Sequence, residues 1–159
     1  NGDQKFVLSS AGTTGGHNLV SYDANGANPM CLSTKSITAG ALVTNRSECS
    51  SVGSWSFEDV AVRGFGGMCM DVRDGKTTDG TPIQMWTCTP GNRNQQWSFT
   101  RSGQLAFADT SMCATVRSGR LVLATCLWCF LISLSIGTGV PASSRQSLTE
   151  HRVWEAISR

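Results

Sequence analysis

Three stretches of this 159-residue chain begin alike: Met30-Cys31-Leu32-Ser33, Met68-Cys69-Met70-Asp71 and Met112-Cys113-Ala114-Thr115. Each runs on to a second cysteine, at Cys49, Cys88 and Cys126. The first two are then followed by Trp55-Ser56-Phe57 and Trp97-Ser98-Phe99. Short apolar runs, Val60-Ala61-Val62 and Gln104-Leu105-Ala106-Phe107, lead from there to the next Met-Cys. A unit of roughly forty residues therefore recurs, a period that marks repeat architectures, in which each unit buries its apolar face only against its neighbours.

Within each unit the elements are short. Apolar or alternating runs at 6–8, 18–22, 60–63, 83–87, 96–100, 104–107 and 121–124 are bounded by Gly, Asp, Asn, Ser and Thr. Asn25-Gly26, Asp74-Gly75, Asp79-Gly80 and Pro90-Gly91 lie between them as turn signals. No long amphipathic helical window precedes the C-terminal part. This is the pattern of an all-β domain with about four short strands per unit.

The third unit stops at Cys126, half complete, while the N-terminus holds an orphan half-unit. Gln4-Lys5-Phe6 mimics Gln95-Gln96-Trp97, and 16–22 leads toward Met30-Cys31 as 103–107 leads toward Met112-Cys113. Residues 4–23 are therefore expected to supply the last two strands of the third unit, closing the chain on itself and removing free sheet edges. His151-Arg152-Val153-Trp154 is the rival for that place; it lacks the amide and lies far from Cys126.

Composition narrows the class. Thirteen Lys and Arg against eleven Asp and Glu leave a net charge of +2, with no basic run to suit nucleic acid or an anionic membrane. Seven cysteines, 17 glycines and only 15% charged residues suit a loop-rich, disulfide-supported secreted protein. The chain opens without Met or a signal peptide, as a mature form or a piece of a longer chain would. Asn45-Arg46-Ser47 has the form of an N-glycosylation sequon and reads equally as an unmodified polar loop.

The second unit carries the chemistry. Asp71, Gln84, Trp86, Asn94 and Gln95 offer one carboxylate, three amides and one indole. A sugar presents hydroxyls at its edge and a patch of C–H groups on one face. It needs one flat apolar wall and a few fixed donors and acceptors. Trp86 can be the wall, Asp71 can accept from two adjacent hydroxyls, and Asn94 can both donate and accept.

These residues also carry a resemblance. Cys69-Met70-Asp71-Val72, then Gln84-Met85-Trp86-Thr87-Cys88, then Asn94-Gln95-Gln96-Trp97, closely resemble the ricin B-chain type lectin repeat, Cys-x-Asp-Val, Gln-x-Trp-x-Cys and Asn-Gln-x-Trp. The second unit matches throughout; the first and third match through cysteines and apolar pattern; residues 127–159 do not match. The resemblance implies a β-trefoil of three pseudo-repeats and a non-catalytic lectin. In it Asp71 and Asn94 hold the equatorial and axial hydroxyls that mark galactose or GalNAc, Trp86 stacks on the sugar face, and Gln84 and Gln95 buttress the site. Trp97 would instead sit in the core and join the units, with Trp55 and Phe6 as its equivalents. Residues 1–126 form the expected domain, in units of about 31–66, 69–109 and 113–126 completed by 4–23, and 127–159 form a tail.

Ser33 and Thr115 stand where Asp71 does, and counting back from the second cysteine puts Ser47 and Ala124 where Trp86 does. One sugar site is expected, binding a monosaccharide at roughly millimolar to high-micromolar strength. Useful avidity then needs oligomers or a tethered partner. Cysteine pairing following the units is Cys31–Cys49, Cys69–Cys88 and Cys113–Cys126, leaving Cys129 as a spare thiol or an intermolecular bridge. Cys126-x-x-Cys129 lacks the βαβ context of a redox motif, and His17 and His151 do not complete a zinc site. No metal or cofactor is expected, and no acidic cluster has calcium spacing. In the tail the apolar part, ending near Ile136, is short for a membrane span and is interrupted by Ser133 and Ser135. A helix over 148–157 is suggested by the capping-box spacing Ser147-Leu148-Thr149-Glu150.

Glycosidase chemistry wants two carboxylates across a cleft, whereas Asp71 and Asp74 belong to one binding loop. Two other classes remain: a targeting module of a longer glycoside hydrolase or toxin, and a protein-binding trefoil, which has no need of the second-unit constellation.

Overall fold

A computed structural model describes residues 4–11, 16–49 and 54–126. The predicted tail features, Cys129 and the rival 151–154 segment lie outside the described residues. Among the described residues twelve strands follow in chain order: β1 (Lys5–Ser10), β2 (His17–Tyr22), β3 (Met30–Thr34), β4 (Val43–Arg46), β5 (Ser56–Glu58), β6 (Ala61–Arg63), β7 (Cys69–Val72), β8 (Ile83–Trp86), β9 (Trp97–Phe99), β10 (Leu105–Phe107), β11 (Met112–Arg117) and β12 (Arg120–Thr125). Among the described residues, short 3₁₀ turns at Phe65–Gly67, Arg73–Gly75 and Arg93–Gln95 lie between them.

The pairing repeats three times. Each Met-Cys strand forms an antiparallel pair with the next strand: β3 with β4, β7 with β8, β11 with β12. Each also pairs with the strand before it, placing Cys31 opposite Val20, Cys69 opposite Arg63 and Cys113 opposite Ala106. β1 and β2 form a hairpin, as do β5 with β6 and β9 with β10. The strands β4, β8 and β12 meet one another through the pairs Arg120↔Thr44, Leu42↔Gln84 and Pro82↔Val122. Four strands per unit about a pseudo-threefold axis make this a β-trefoil. Its antiparallel strands close on one another, so few edges are left open.

The alternation seen in the sequence places the core. Leu32, Met70 and Ala114, each one residue after a cysteine, are buried. Leu19, Val62 and Leu105 are buried at matching places in the three hairpins, opposite Leu8, Phe57 and Phe99. Trp55 and Trp97 lie fully inside, and each indole Nε1 donates to the backbone carbonyl of a Met-Cys strand, Leu32 at 3.0 Å and Met70 at 3.1 Å. Phe6 fills the third such place, buried but with no donor. Gly64 permits the fit around Trp55, because a Cβ there would stand 2.7 Å from the indole. Disulfides join Cys31 to Cys49, Cys69 to Cys88 and Cys113 to Cys126.

Asn45 departs from the polar-loop reading. It lies within β4, half-buried and opposite Leu32, at the register position that Met85 and Leu123 occupy in the other units. Strand pairing therefore turns this sequon asparagine toward the position where the other units place core residues.

Candidate functional site

The second unit brings all five predicted residues together. Asp71 on β7 and Gln84 on β8 are direct cross-strand partners, so both side chains leave the same face of the hairpin. Trp86, two residues along β8, shares that face. The 3₁₀ turn Arg93–Gln95 presents Asn94 and Gln95 from the other side. Asn92 sets this turn, its side chain accepting from the Asn94 N–H at 3.1 Å, a local cap of the kind Asn favours.

Asp71 is 4% exposed and held by two amides. Gln84 Nε2 donates to its Oδ1 at 3.2 Å, and Gln95 Nε2 donates to its Oδ2 at 3.1 Å. Gln95 is itself locked: Nε2 also donates to the Thr87 carbonyl at 2.9 Å, and Oε1 accepts from the Thr89 N–H at 2.9 Å. Gln84 Oε1 accepts from Arg73 Nε at 3.0 Å. A carboxylate has about four acceptor positions, so the two amides leave roughly half of them for a ligand. Burial pushes the Asp71 pKa above its usual value of 3.8; the hydrogen bonds from Gln95 and Gln84 oppose the shift, and the nearby Asp74 charge adds to it.

A pocket of about 480 Å³ opens over this carboxylate, lined among others by Asp71, Gln84, Trp86, Asn92 and Asn94. Trp86 is 42% exposed, a large indole face left to solvent beside a buried charge. Gln95 does not line this pocket; it braces Asp71 from behind. It faces instead a second cavity of about 240 Å³, whose other walls include the Arg63–Glu58 ion pair at 2.7 Å and Pro90. That cavity has no indole in its lining, and its carboxylates are Glu58, tied to Arg63, and Asp59; only the larger of the two pockets sets a buried carboxylate beside an exposed indole.

Sequence reasoning missed Arg73 and Gly40. Arg73 fixes which end of the Gln84 amide faces Asp71, and its Nη2 donates to the Gly40 carbonyl at 3.4 Å. Gly40, from the first unit, lines the pocket. Arg73 follows the Asp71-Val72 pair directly, a signal that was available; Gly40 had none, being distant in sequence.

The other units lack the constellation. Strand register puts Ser33 and Thr115 in the place of Asp71, and Thr44 and Val122 in the place of Gln84. In the place of Trp86 stand Arg46 and Ala124. The first-unit residue is thus Arg46 and not Ser47, because the residue opposite the first cysteine lies three places before Cys49, whereas Trp86 and Ala124 lie two before Cys88 and Cys126. Among the described residues no group of three or more His, Cys, Asp or Glu side chains is arranged to hold a metal ion. No described helix is long and apolar enough to cross a membrane.

Fold and repeat together define the class, a β-trefoil of the carbohydrate-binding kind. The family model for the ricin-type beta-trefoil lectin domain matches residues 21–130, and the chain belongs to that family, whose domains are non-catalytic. Shorter stretches are similar to individual proteins. A 44-residue stretch is 48% identical to ribosome-inactivating protein PMRIPt of Polygonatum multiflorum, covering 28% of this chain and 7% of that protein. Thirty-six residues are 56% identical to nigrin b of Sambucus nigra, covering 23% and 6%. Forty-seven residues are 43% identical to beta-galactoside-specific lectin 2 of Viscum album, covering 29% and 8%. The matched stretches thus span less than a tenth of the length of these relatives.

Proposed function

We propose that this carbohydrate-binding domain recognises galactose- or GalNAc-type glycans through one site in its second unit. The observation that carries the reading is a buried carboxylate, braced by two amides, facing an exposed indole across one pocket. Trp86 takes the apolar face of the sugar. The free lone pairs of Asp71 accept from two neighbouring hydroxyls, and Asn94 pairs with the one that distinguishes galactose. Gln84 and Gln95 hold the carboxylate in place before the ligand arrives, which lowers the ordering cost of binding. The name of the Viscum album relative, a beta-galactoside-specific lectin, points to the same sugar class. Three disulfides suit an oxidising, extracellular setting.

The test is a glycan array with wild type, Trp86→Ala and Asp71→Ala. Terminal galactose or GalNAc should be retained by wild type and lost by both variants, each still folded by circular dichroism. A folded wild type that retains no glycan defeats the proposal. A second reading makes the domain the targeting module of a longer glycoside hydrolase or toxin. It is favoured by relatives named as ribosome-inactivating proteins, of which the matched stretches cover only a small part. Intact mass of the natural protein separates a free-standing lectin from such a module.

A further inference from the structure

The first unit contributes more than scaffold to this site. Its loop of residues 36–41 lies against the second unit at several points. The Gly40 N–H donates to the Met85 carbonyl at 2.9 Å, and the Met85 N–H donates to the Ala41 carbonyl at 2.8 Å. Arg73, which also holds Gln84, reaches the Gly40 carbonyl. Inside the loop, Thr34 Oγ1 donates to the Ser36 carbonyl at 2.8 Å, Ser36 and Thr38 hydroxyls pair at 2.8 Å, and the Ala41 N–H closes a turn onto Thr38. The loop is therefore fixed by hydrogen bonds at both ends and across its middle.

Two contacts locate it. Gly40 stands beside the Trp86 ring: a Cβ on Gly40 would be 3.8 Å from Cζ3. Ile37 lies over Gly66, in the turn just before β7: a Cβ on Gly66 would be 3.3 Å from the Ile37 Cβ. Ile37 is nonetheless 64% exposed, the most exposed large apolar side chain among the described residues. Its sec-butyl surface is held to solvent by a loop whose other end walls the sugar pocket. Gly40, lacking a side chain, brings the loop backbone to the edge of the pocket beside the Trp86 ring.

We propose that loop 36–41 is a second subsite, in which Ile37 takes the apolar face of the next sugar residue of a β-linked glycan whose terminal sugar occupies the Trp86 pocket. The inference rests on the sugar-site reading above. It makes recognition bipartite: the second unit reads hydroxyl configuration, and the first unit reads what the terminal sugar is attached to. Two adjoining surfaces on one rigid support raise affinity for a disaccharide without a new polar contact. The yield of burying about 40 Å² of apolar surface is roughly fivefold.

The test compares methyl β-galactoside with lactose by calorimetric titration of wild type, Ile37→Ser and Trp86→Ala. Wild type should bind lactose about fivefold more tightly than the methyl glycoside, the gain expected from that buried area. Ile37→Ser should bring the two affinities together while leaving the methyl glycoside within about twofold of wild type, since an exposed side chain is being changed. A wild-type ratio near one, an unchanged ratio in Ile37→Ser, or an equal loss of both sugars in that variant overturns the proposal. Failure of the underlying sugar-site reading has a different signature: neither sugar binds folded wild type, or both still bind Trp86→Ala. Either result removes this inference with it.

Discussion

At the scale of single residues, Asp71 is where structure and function pull against each other. Burial raises its pKa above 3.8, so the folded chain holds that proton more tightly than the unfolded chain does. As pH rises from about 4 through the raised folded value, this residue's contribution to stability falls, and above that value it is constant. In the proposed site sugar hydroxyls donate to the ionised form, so affinity moves the other way and rises through the same window. Affinity should therefore begin to fall on acidification while an ordinary carboxylate is still charged, with a midpoint above 3.8. Titrating binding from neutral pH to about pH 4 checks this; Asp71→Asn, which keeps the shape and cannot ionise, should bind weakly and show no such midpoint. That the five proposed residues come together was legible because the cysteines act as fixed markers: Asp71 stands two residues after one and Trp86 two before the other. The role of Gly40 was not, because it depends on a loop from another unit crossing to this one, which no local spacing encodes; Arg73, next to the Asp71-Val72 pair, could have been found by its position.

At the scale of elements, the site depends on two short turns packed against each other. The turn Arg73–Gly75 carries Gly75 at φ 63°, and a Cβ on it would lie 2.7 Å from Asn94 Oδ1 in the facing turn. Gly75→Ala must therefore rotate Asn94 out of its place, a movement that a flexible side chain makes at little expense to the fold. The left-handed backbone adds about 1 kcal/mol of strain. The expected result is a stability loss near that size with an affinity loss of about tenfold, the equivalent of one lost polar contact. Gly80→Ala is the control. Gly80 has φ 82° but nothing within 4 Å of an added Cβ, so the same strain should appear in thermal melts with affinity unchanged in titrations. If the two variants bind alike, Asn94 has no part in the site. The strands themselves were foreseeable from short alternating runs between Gly-rich turns. What the alternation left open was register: Arg46 takes the place of Trp86 in the first unit because β4 is set one residue further from Cys49 than β8 is from Cys88.

At the scale of the whole molecule, three aromatic side chains occupy equivalent places, and they are not chemically alike. Trp55 and Trp97 each bond a backbone carbonyl of the neighbouring Met-Cys strand, and Trp97 also meets the Phe107 ring at 5.4 Å. Phe6 fills its place by shape alone. The chain thus contains its own measure of what the position requires: volume is needed in all three units, the hydrogen bond in two. Trp97→Ala removes both and leaves the buried Met70 carbonyl without its partner, so it should cost about 3–5 kcal/mol. Trp97→Phe keeps most of the volume and loses the bond, for about 1–2 kcal/mol, close to the value of a single buried hydrogen bond plus a small void. Urea unfolding should therefore rank wild type above Trp97→Phe and that above Trp97→Ala, with a common slope if the closed barrel unfolds as one cooperative unit. Because Gln95 precedes Trp97 by two residues and braces Asp71, the still-folded Trp97→Phe should retain the sugar, whereas Trp86→Ala should lose it with little change in stability. Equal stabilities for the Phe and Ala variants would mean that the position is not held by packing, and that the likeness of Phe6 to the two tryptophans is one of place and not of role.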